Sequence, residues 1–149
     1  MVRPDTCVVA RLDCQFFLVV MLIGFTLLTN VGCDDGRPTR LVVSGRVLID
    51  GKPLKVGNVK FVPSGARPSS GRLDDNGRFT LTCYDGADGA VPGTHRVQVA
   101  ASEVVNQNQI IWHAPMKYAN FRTSGIEIEI TEPVDDITIE LSSDGNNSP

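Results

Sequence analysis

The clearest pattern in the chain is an alternation of apolar and polar residues within residues 76–99. Phe79, Leu81 and Cys83 alternate with polar neighbours, and the alternation resumes with Val97 and Val99 after a loop rich in Gly, Asp and Pro. A period of two is typical of a strand with one face on a core and the other in water. The stretch therefore predicts two half-buried strands, and neighbouring segments have to supply the opposite wall of their core.

Other segments repeat this alternation and add five predicted strands. They lie at residues 41–49, 58–62, 126–130 and 137–141, with a weak edge strand at 71–73. Turn signals separate them, such as Asp50-Gly51 and the run from Asp74 to Gly77. Seven strands at short spacing, with no long amphipathic helix, predict an all-β two-sheet sandwich rather than a barrel.

Residues 101–124 follow neither a helical nor a strand period and predict a long excursion with room for a single helical turn. The candidate partner-binding residues of this segment are Trp112, His113, Met116 and Tyr118. Such loops are usually covers over a sheet end or binding elements. A cover is favoured, because Ile110 and Ile111 beside Trp112 form a cluster that a monomer tends to bury. If the segment is instead a recognition loop, Trp112 is a partly exposed anchor.

The N-terminus carries an apolar run of a different kind. Residues 16–28, FFLVVMLIGFTLL, are 13 consecutive residues without a charge. The run is short for a membrane span but suits the h-region of a signal peptide. Upstream, Arg3 and Arg11 are offset by Asp5 and Asp13, and a start at Met21 is an alternative that would truncate the run. We predict a signal peptide over residues 1–32.

The run ends at Asn30-Val31-Gly32-Cys33, which resembles the bacterial lipobox, although Asn30 stands where an apolar residue is usual. We predict that Cys33 is lipidated and begins a tether over residues 33–40. The sandwich then occupies 41–142 and a frayed polar tail 143–149. The predicted location is the cell envelope, with the membrane bound through the lipid anchor. Cleavage by an ordinary signal peptidase and an uncleaved membrane anchor are the alternatives.

Composition narrows the possible functions. The 149 residues, 42% of them apolar, suit one domain and a short extra segment, and the net charge of −3 with interspersed signs gives no indication of a nucleic-acid partner. Once Cys7 and Cys14 leave with the signal peptide and Cys33 carries lipid, Cys83 is the remaining thiol and no internal disulfide forms. Its place in an apolar row predicts a buried, reduced residue rather than a nucleophile.

Three runs carry a family resemblance: SGRVLIDGKPLKVGNVKFVP, DDNGRFTLT and DGAVPGTHRVQV. They resemble the transthyretin-like, or carboxypeptidase regulatory-like, β-sandwich of small bacterial lipoproteins. The later MKYANFRTSGIEIEIT and DDITIEL resemble the closing half of those domains, so the resemblance covers most of residues 43–141. It implies a seven-stranded Greek-key sandwich outside the cytoplasm and names no ligand.

Within the wider transthyretin-like group, the hydroxyisourate hydrolases use several His with Arg and a Tyr-Arg-Gly-Ser ending. This chain has only His95 and His113, and its ending differs. Two isolated imidazoles make a poor zinc site. The loop from Asp85 to Gly89 lacks the spacing of a calcium loop and is typical of an ordinary turn. The sequence predicts no catalytic residue, metal or cofactor.

The predicted function is therefore that of a non-catalytic envelope module that binds or braces another protein. The alternative is carbohydrate recognition, since related sandwiches often accompany glycan-active proteins. Sugar platforms usually need aromatic faces, and the mature chain offers only Trp112, Tyr84, Tyr118 and a few Phe. Protein binding is the favoured interpretation for this reason.

Overall fold

The computed structural model describes residues 36–106 and 109–145. The described part of the chain contains ten strands and one short 3₁₀ helix, Met116–Ala119. The strands are β1 (Val43–Ile49), β2 (Lys52–Pro53), β3 (Asn58–Pro63), β4 (Ser69–Arg72), β5 (Arg78–Thr80), β6 (Gly93–Ala100), β7 (Ser102–Asn106), β8 (Gln109–Trp112), β9 (Ile126–Ile130) and β10 (Val134–Leu141). The chain is all-β in these ranges, as predicted. The predicted signal peptide and Cys33 lie outside them.

Eight of the described strands form two four-stranded sheets. In the first sheet β1 runs parallel to β10 on one side and pairs with β2 and β5 on the other. In the second sheet the order is β4-β3-β6-β9, with antiparallel neighbours throughout. The strands β7 and β8 pair with each other as a separate two-stranded ribbon.

The core lies between the two four-stranded sheets because each strand turns its apolar row inward. In β1, Val43 and Val47 are fully buried, and in β3 the same holds for Val59 and Phe61. The ring of Phe61 lies 6.1 Å from the ring of Phe79, so the two sheets meet through aromatic contact. Burial of these alternating residues supplies the hydrophobic stabilisation of the sandwich.

Each of the seven predicted strands has a counterpart: β1, β3, β4, β5, β6, β9 and β10. The two strands of residues 76–99 belong to different sheets, and β5 is shorter than its alternation indicates. Leu81 and Cys83 are nevertheless buried. After β5 the backbone passes from the first sheet to the second. Leu81 donates its N–H to the carbonyl of Val43 in the first sheet, and Thr82 exchanges two backbone hydrogen bonds with Ser70 in the second.

The prediction that residues 101–124 lack a strand is wrong, since β7 and β8 lie there. Both strands are exposed along their whole length. Strand prediction from periodicity depends on one buried face, and a ribbon exposed on both faces gives no such period. The predicted single helical turn in this segment is confirmed as the 3₁₀ helix.

The strand directions give the sandwich two distinct ends. At the entry end, Arg40 pairs with Asp88 and Leu41 bridges to Ala90, just before β1 begins. At the other end β1, β6 and β10 finish, and only Ala101 separates β6 from the β7-β8 ribbon. We call this the hairpin end. A strand of eight residues spans roughly 25 Å. The ribbon therefore leaves the sandwich at the end opposite to the one where the chain enters.

No helix in the described ranges is long and apolar enough to cross a membrane.

Candidate functional site

The hairpin end carries an apolar surface on one face of the β7-β8 ribbon. Val104 pairs with Ile110, and Ser102 with Trp112, so these four side chains share a face. Val104, Ile110 and Trp112 are exposed by 70, 58 and 41% respectively. We call these three residues the apolar ribbon face. Large apolar side chains adjacent to one another at this exposure are typical of an interaction surface.

The opposite face of the ribbon has mixed character. Glu103 pairs with Ile111 across the two strands, and a carboxylate oxygen of Glu103 lies 3.2 Å from Nε2 of His113. The backbone N–H of His113 donates to the carbonyl of Ala101, which closes the base of the ribbon. His113 is therefore held by its own hairpin, and its ring is partnered by the only charged side chain in β7 and β8.

A shallow groove of about 470 Å³ continues the surface beside Trp112. It is lined by Ile49, Trp112, His113, Ala114, Pro115, Met116 and Ser143. Met116 is 66% exposed at the start of the 3₁₀ helix. Three of the four candidate binding residues, Trp112, His113 and Met116, are thus brought together in one place.

The fourth candidate, Tyr118, is fully buried and does not belong to this surface. Its hydroxyl accepts a hydrogen bond from the backbone N–H of Ser142 at 3.2 Å. The ammonium of Lys117 lies over the ring of Tyr118, 4.6 Å from its centroid. The 3₁₀ turn directs Met116 outward and Tyr118 into the core, so Tyr118 joins the segment to the end of β10.

The favoured cover interpretation is wrong for Trp112, because a cover requires this side chain in the core and it is 41% exposed. The physical reason is the short connection from β6 to β7. With only Ala101 between them, the ribbon continues away from the second sheet instead of folding back across the sheet end. The part of the segment that does cover the core is the 3₁₀ turn with Tyr118.

The loop from Asp85 to Gly89, considered above as a calcium site, lies at the entry end, and the carboxylate of Asp88 is held there by hydrogen-bond donors of the protein itself. Asp88 accepts hydrogen bonds from the backbone N–H groups of Cys83 and Tyr84 and forms an ion pair with Arg40 at 3.0 Å. Burial raises the pKa of Asp88, but these N–H groups, that of Asp85 and the Arg40 charge outweigh it and lower the pKa overall. The described residues contain no group of three His, Cys, Asp or Glu that could hold a metal ion.

His95 lies in the core near the entry end, far from His113. Its Nε2 donates to the carbonyl of Val91 at 2.8 Å, and its ring packs 5.8 Å from that of Phe61. Nδ1 is buried without a hydrogen-bond partner. Burial lowers the pKa of His95, while the Val91 hydrogen bond opposes the shift. A neutral ring locked in the core is suited to packing rather than to proton transfer with a substrate.

A second depression lies on the sandwich itself, with a volume of about 410 Å³. It is polar and lined in part by Arg72, Asp74 and Arg78. Asp74 is committed to its turn, where its carboxylate accepts the N–H groups of Asn76 and Arg78. The depression is therefore bordered by residues that hold the turn and by exposed guanidinium groups.

Sequence reasoning missed Val104 as a site residue, although a local signal was present. Two adjacent apolar pairs, at residues 104–105 and 110–111, flank the uncharged run Asn-Gln-Asn-Gln. Apolar pairs on both sides of a short polar run are a pattern that a hairpin produces. The pattern is easily overlooked because neither strand alternates.

No family model matches the chain, and no curated protein matches it either. Two solved structures are similar in part. A DUF3823 family protein from Parabacteroides merdae is 13% identical, with a TM-score of 0.43 over 72% of this chain and 48% of that one. A 9R-lipoxygenase from Cyanothece is 17% identical, with a TM-score of 0.36 over 83% of this chain and 20% of that one. The chain thus spans less than half of each of these proteins.

Proposed function

We propose that this chain is a non-catalytic, lipid-anchored envelope protein that binds another protein through its hairpin end. The observation that carries the proposal is the apolar ribbon face, with Trp112 and Met116 exposed beside it. Aromatic and methionine side chains at the centre of a surface are typical anchors of protein interfaces.

The finer fold that we propose is the seven-stranded Greek-key sandwich of the transthyretin-like domains. In support, β1, β5 and β10 lie in one sheet and β3, β4, β6 and β9 in the other, so the chain crosses repeatedly between sheets. In this interpretation β2 is a short extension of the turn after β1. The ribbon is then an insertion between β6 and β9, and insertions between sandwich strands often carry function.

The proposed anchor at Cys33 would tether the domain through its entry end, since Arg40 and Leu41 are fixed there. The apolar ribbon face lies at the other end of the sandwich, roughly 25 Å from Leu41 by the length of an eight-residue strand. Insertion of the ribbon into lipid is disfavoured because a two-stranded sheet leaves the backbone groups of its outer edges without partners in hydrocarbon. A protein can supply hydrogen-bond partners as well as apolar contacts.

A non-catalytic role is supported by the placement of the titratable groups. His95 is buried near the entry end and His113 is paired with Glu103 near the hairpin end, so the two imidazoles do not form a common site. Asp88 is used by neighbouring N–H groups. Apart from His113, which is partnered by Glu103, the residues that line the groove of the candidate site are apolar or uncharged.

The proposal is tested by affinity capture with the full chain from envelope extract, beside a glycan array. We expect Trp112→Ala to weaken capture of bound protein by roughly 30-fold, which corresponds to the loss of about 2 kcal/mol at an interface anchor. Thr94→Ala is the control, because Thr94 is exposed at the entry end. Equal capture by wild type and Trp112→Ala contradicts the proposed site, and specific glycan binding that depends on Trp112 favours carbohydrate recognition instead.

A further inference from the structure

We propose that the partner of the apolar ribbon face is a second copy of this chain, and that two ribbons pack face to face about a twofold axis. This inference rests on the proposed function, since it names the protein that the hairpin end binds. In a twofold interface each surface meets its own image, so the surface has to be compatible with itself.

The first argument for a second copy is charge. Between residues 102 and 112 the sequence contains a single ionisable side chain, Glu103, and it points away from the apolar ribbon face. A charged residue in a self-complementary face would meet its own like charge, which strongly disfavours the dimer. Val104, Ile110 and Trp112 carry no such penalty.

The second argument is the size of the exposed apolar surface. Beside the three residues of the apolar ribbon face, Met116 is exposed by 66%. Four large apolar side chains at this exposure amount to several hundred Å², about the size of the largest patch on a typical monomer, which is often functional. A stable interface removes roughly 800 Å² from each partner, so these side chains would form its apolar centre and neighbouring polar residues such as Ser102 its rim.

The third argument is the instability of the ribbon alone. A two-stranded hairpin exposed on both faces is marginal in water, and three strands or a packed face are needed for stability. Packing against a second ribbon would bury one face of each hairpin and stabilise both.

The test is photo-crosslinking of the full chain in the envelope of the living cell. A photoreactive residue replaces Ser102, which lies opposite Trp112 on the same ribbon face and leaves the three apolar residues intact. We expect an adduct of twice the mass of the chain, in which both halves yield peptides of this chain. The same photoreactive residue at Thr94, which is exposed at the entry end, is expected to give no such adduct.

A matched pair of substitutions identifies the face. Ile110→Lys places a charge in the apolar ribbon face and is expected to reduce the doubled adduct at least about tenfold. Ile111→Lys places the same charge on the opposite face, next to Glu103, and is expected to leave the adduct unchanged. Thermal unfolding of both purified variants verifies that the sandwich is intact.

The other outcomes overturn the inference in distinguishable ways. Adducts from position 102 with a different protein refute the second copy while leaving the proposed protein-binding function in place. The absence of any protein adduct at that position refutes both. A doubled adduct that survives Ile110→Lys shows that the two chains meet through another surface, and it therefore refutes the face-to-face ribbon.

Discussion

Replacement of Gly89 by alanine should destabilise the entry end much more than the same change at Gly86, three residues earlier in the same loop. Gly89 has a φ of +87°, a conformation that L residues rarely adopt. A β-carbon there would lie 2.8 Å from the Cα of Val42 and closer still to the carbonyl of Leu41. The clash is with backbone, so a side-chain rotation cannot relieve it.

The expected loss of stability in Gly89→Ala follows from its backbone conformation and from the hydrogen bonds that the clash disrupts. Left-handed backbone costs an alanine roughly 1–2 kcal/mol. Relief of the clash separates Leu41 from Ala90, whose two backbone hydrogen bonds measure 2.8 and 2.9 Å, and each such bond contributes about 1 kcal/mol. The lower entropy of an unfolded alanine chain offsets part of this loss, by about 0.4–1 kcal/mol. We therefore expect Gly89→Ala to lower the free energy of unfolding by about 3 kcal/mol.

Gly86 provides the control because its φ is also positive, +51°, while a β-carbon there would meet nothing within 4 Å. Only the backbone penalty and its entropic offset remain, so Gly86→Ala is expected to cost about 1 kcal/mol or less. Urea unfolding of the two full-length variants, followed by circular dichroism, measures the difference. Equal losses of stability in the two variants would refute the close approach of Gly89 to the Leu41 carbonyl.

The sandwich was predictable because most of its strands have one buried face. Alternating burial in β1 and β3 is the physical counterpart of the alternation in sequence. Pairing was less predictable, since the strands on either side of the 84–92 loop belong to different sheets. Sequence periodicity reports which residues face a core but not which strand lies alongside.

The candidate site was predictable only in part. The apolar cluster led to the selection of this segment, and within it Tyr118 faces the core while Trp112 faces solvent. A cluster of apolar residues predicts that some surface is covered, and the direction of each side chain depends on backbone geometry that composition does not contain. The short β6-β7 connection and the 3₁₀ turn decide the directions here.

Three further predictions concern the core and the anchor. Tyr118→Phe should lower the free energy of unfolding by about 1 kcal/mol, because it removes the hydrogen bond from Ser142. Tyr118→Ala should lower it by about 3–5 kcal/mol. If urea unfolding showed a smaller loss for the alanine variant than for the phenylalanine variant, the burial of Tyr118 would be contradicted. Burial lowers the pKa of His95 below 6.5, so this group should not reduce the free energy of unfolding above about pH 6.5. The free energy should fall as the pH decreases from about 6.5 towards the folded-state pKa, by at most about 1.4 kcal/mol per pH unit. Free energies of unfolding that match those of His95→Gln at every pH would exclude this linkage. Labelled palmitate should be incorporated by the full chain and not by Cys33→Ser, and equal labelling of the two would reject lipidation.

The most direct test of the central claim is the fluorescence of Trp112, which is the only tryptophan in the chain. We expect a small neutral quencher such as acrylamide to reach this indole readily in the dilute full chain and in Ile110→Lys, where the apolar ribbon face is open. At concentrations at which the chain dimerises, or with a captured protein bound, we expect acrylamide to quench Trp112 less and its emission to shift to shorter wavelength. Emission that is shielded from the quencher even in dilute Ile110→Lys would place Trp112 in the core, and quenching unchanged in the bound state would show that the ribbon face is not where the protein binds.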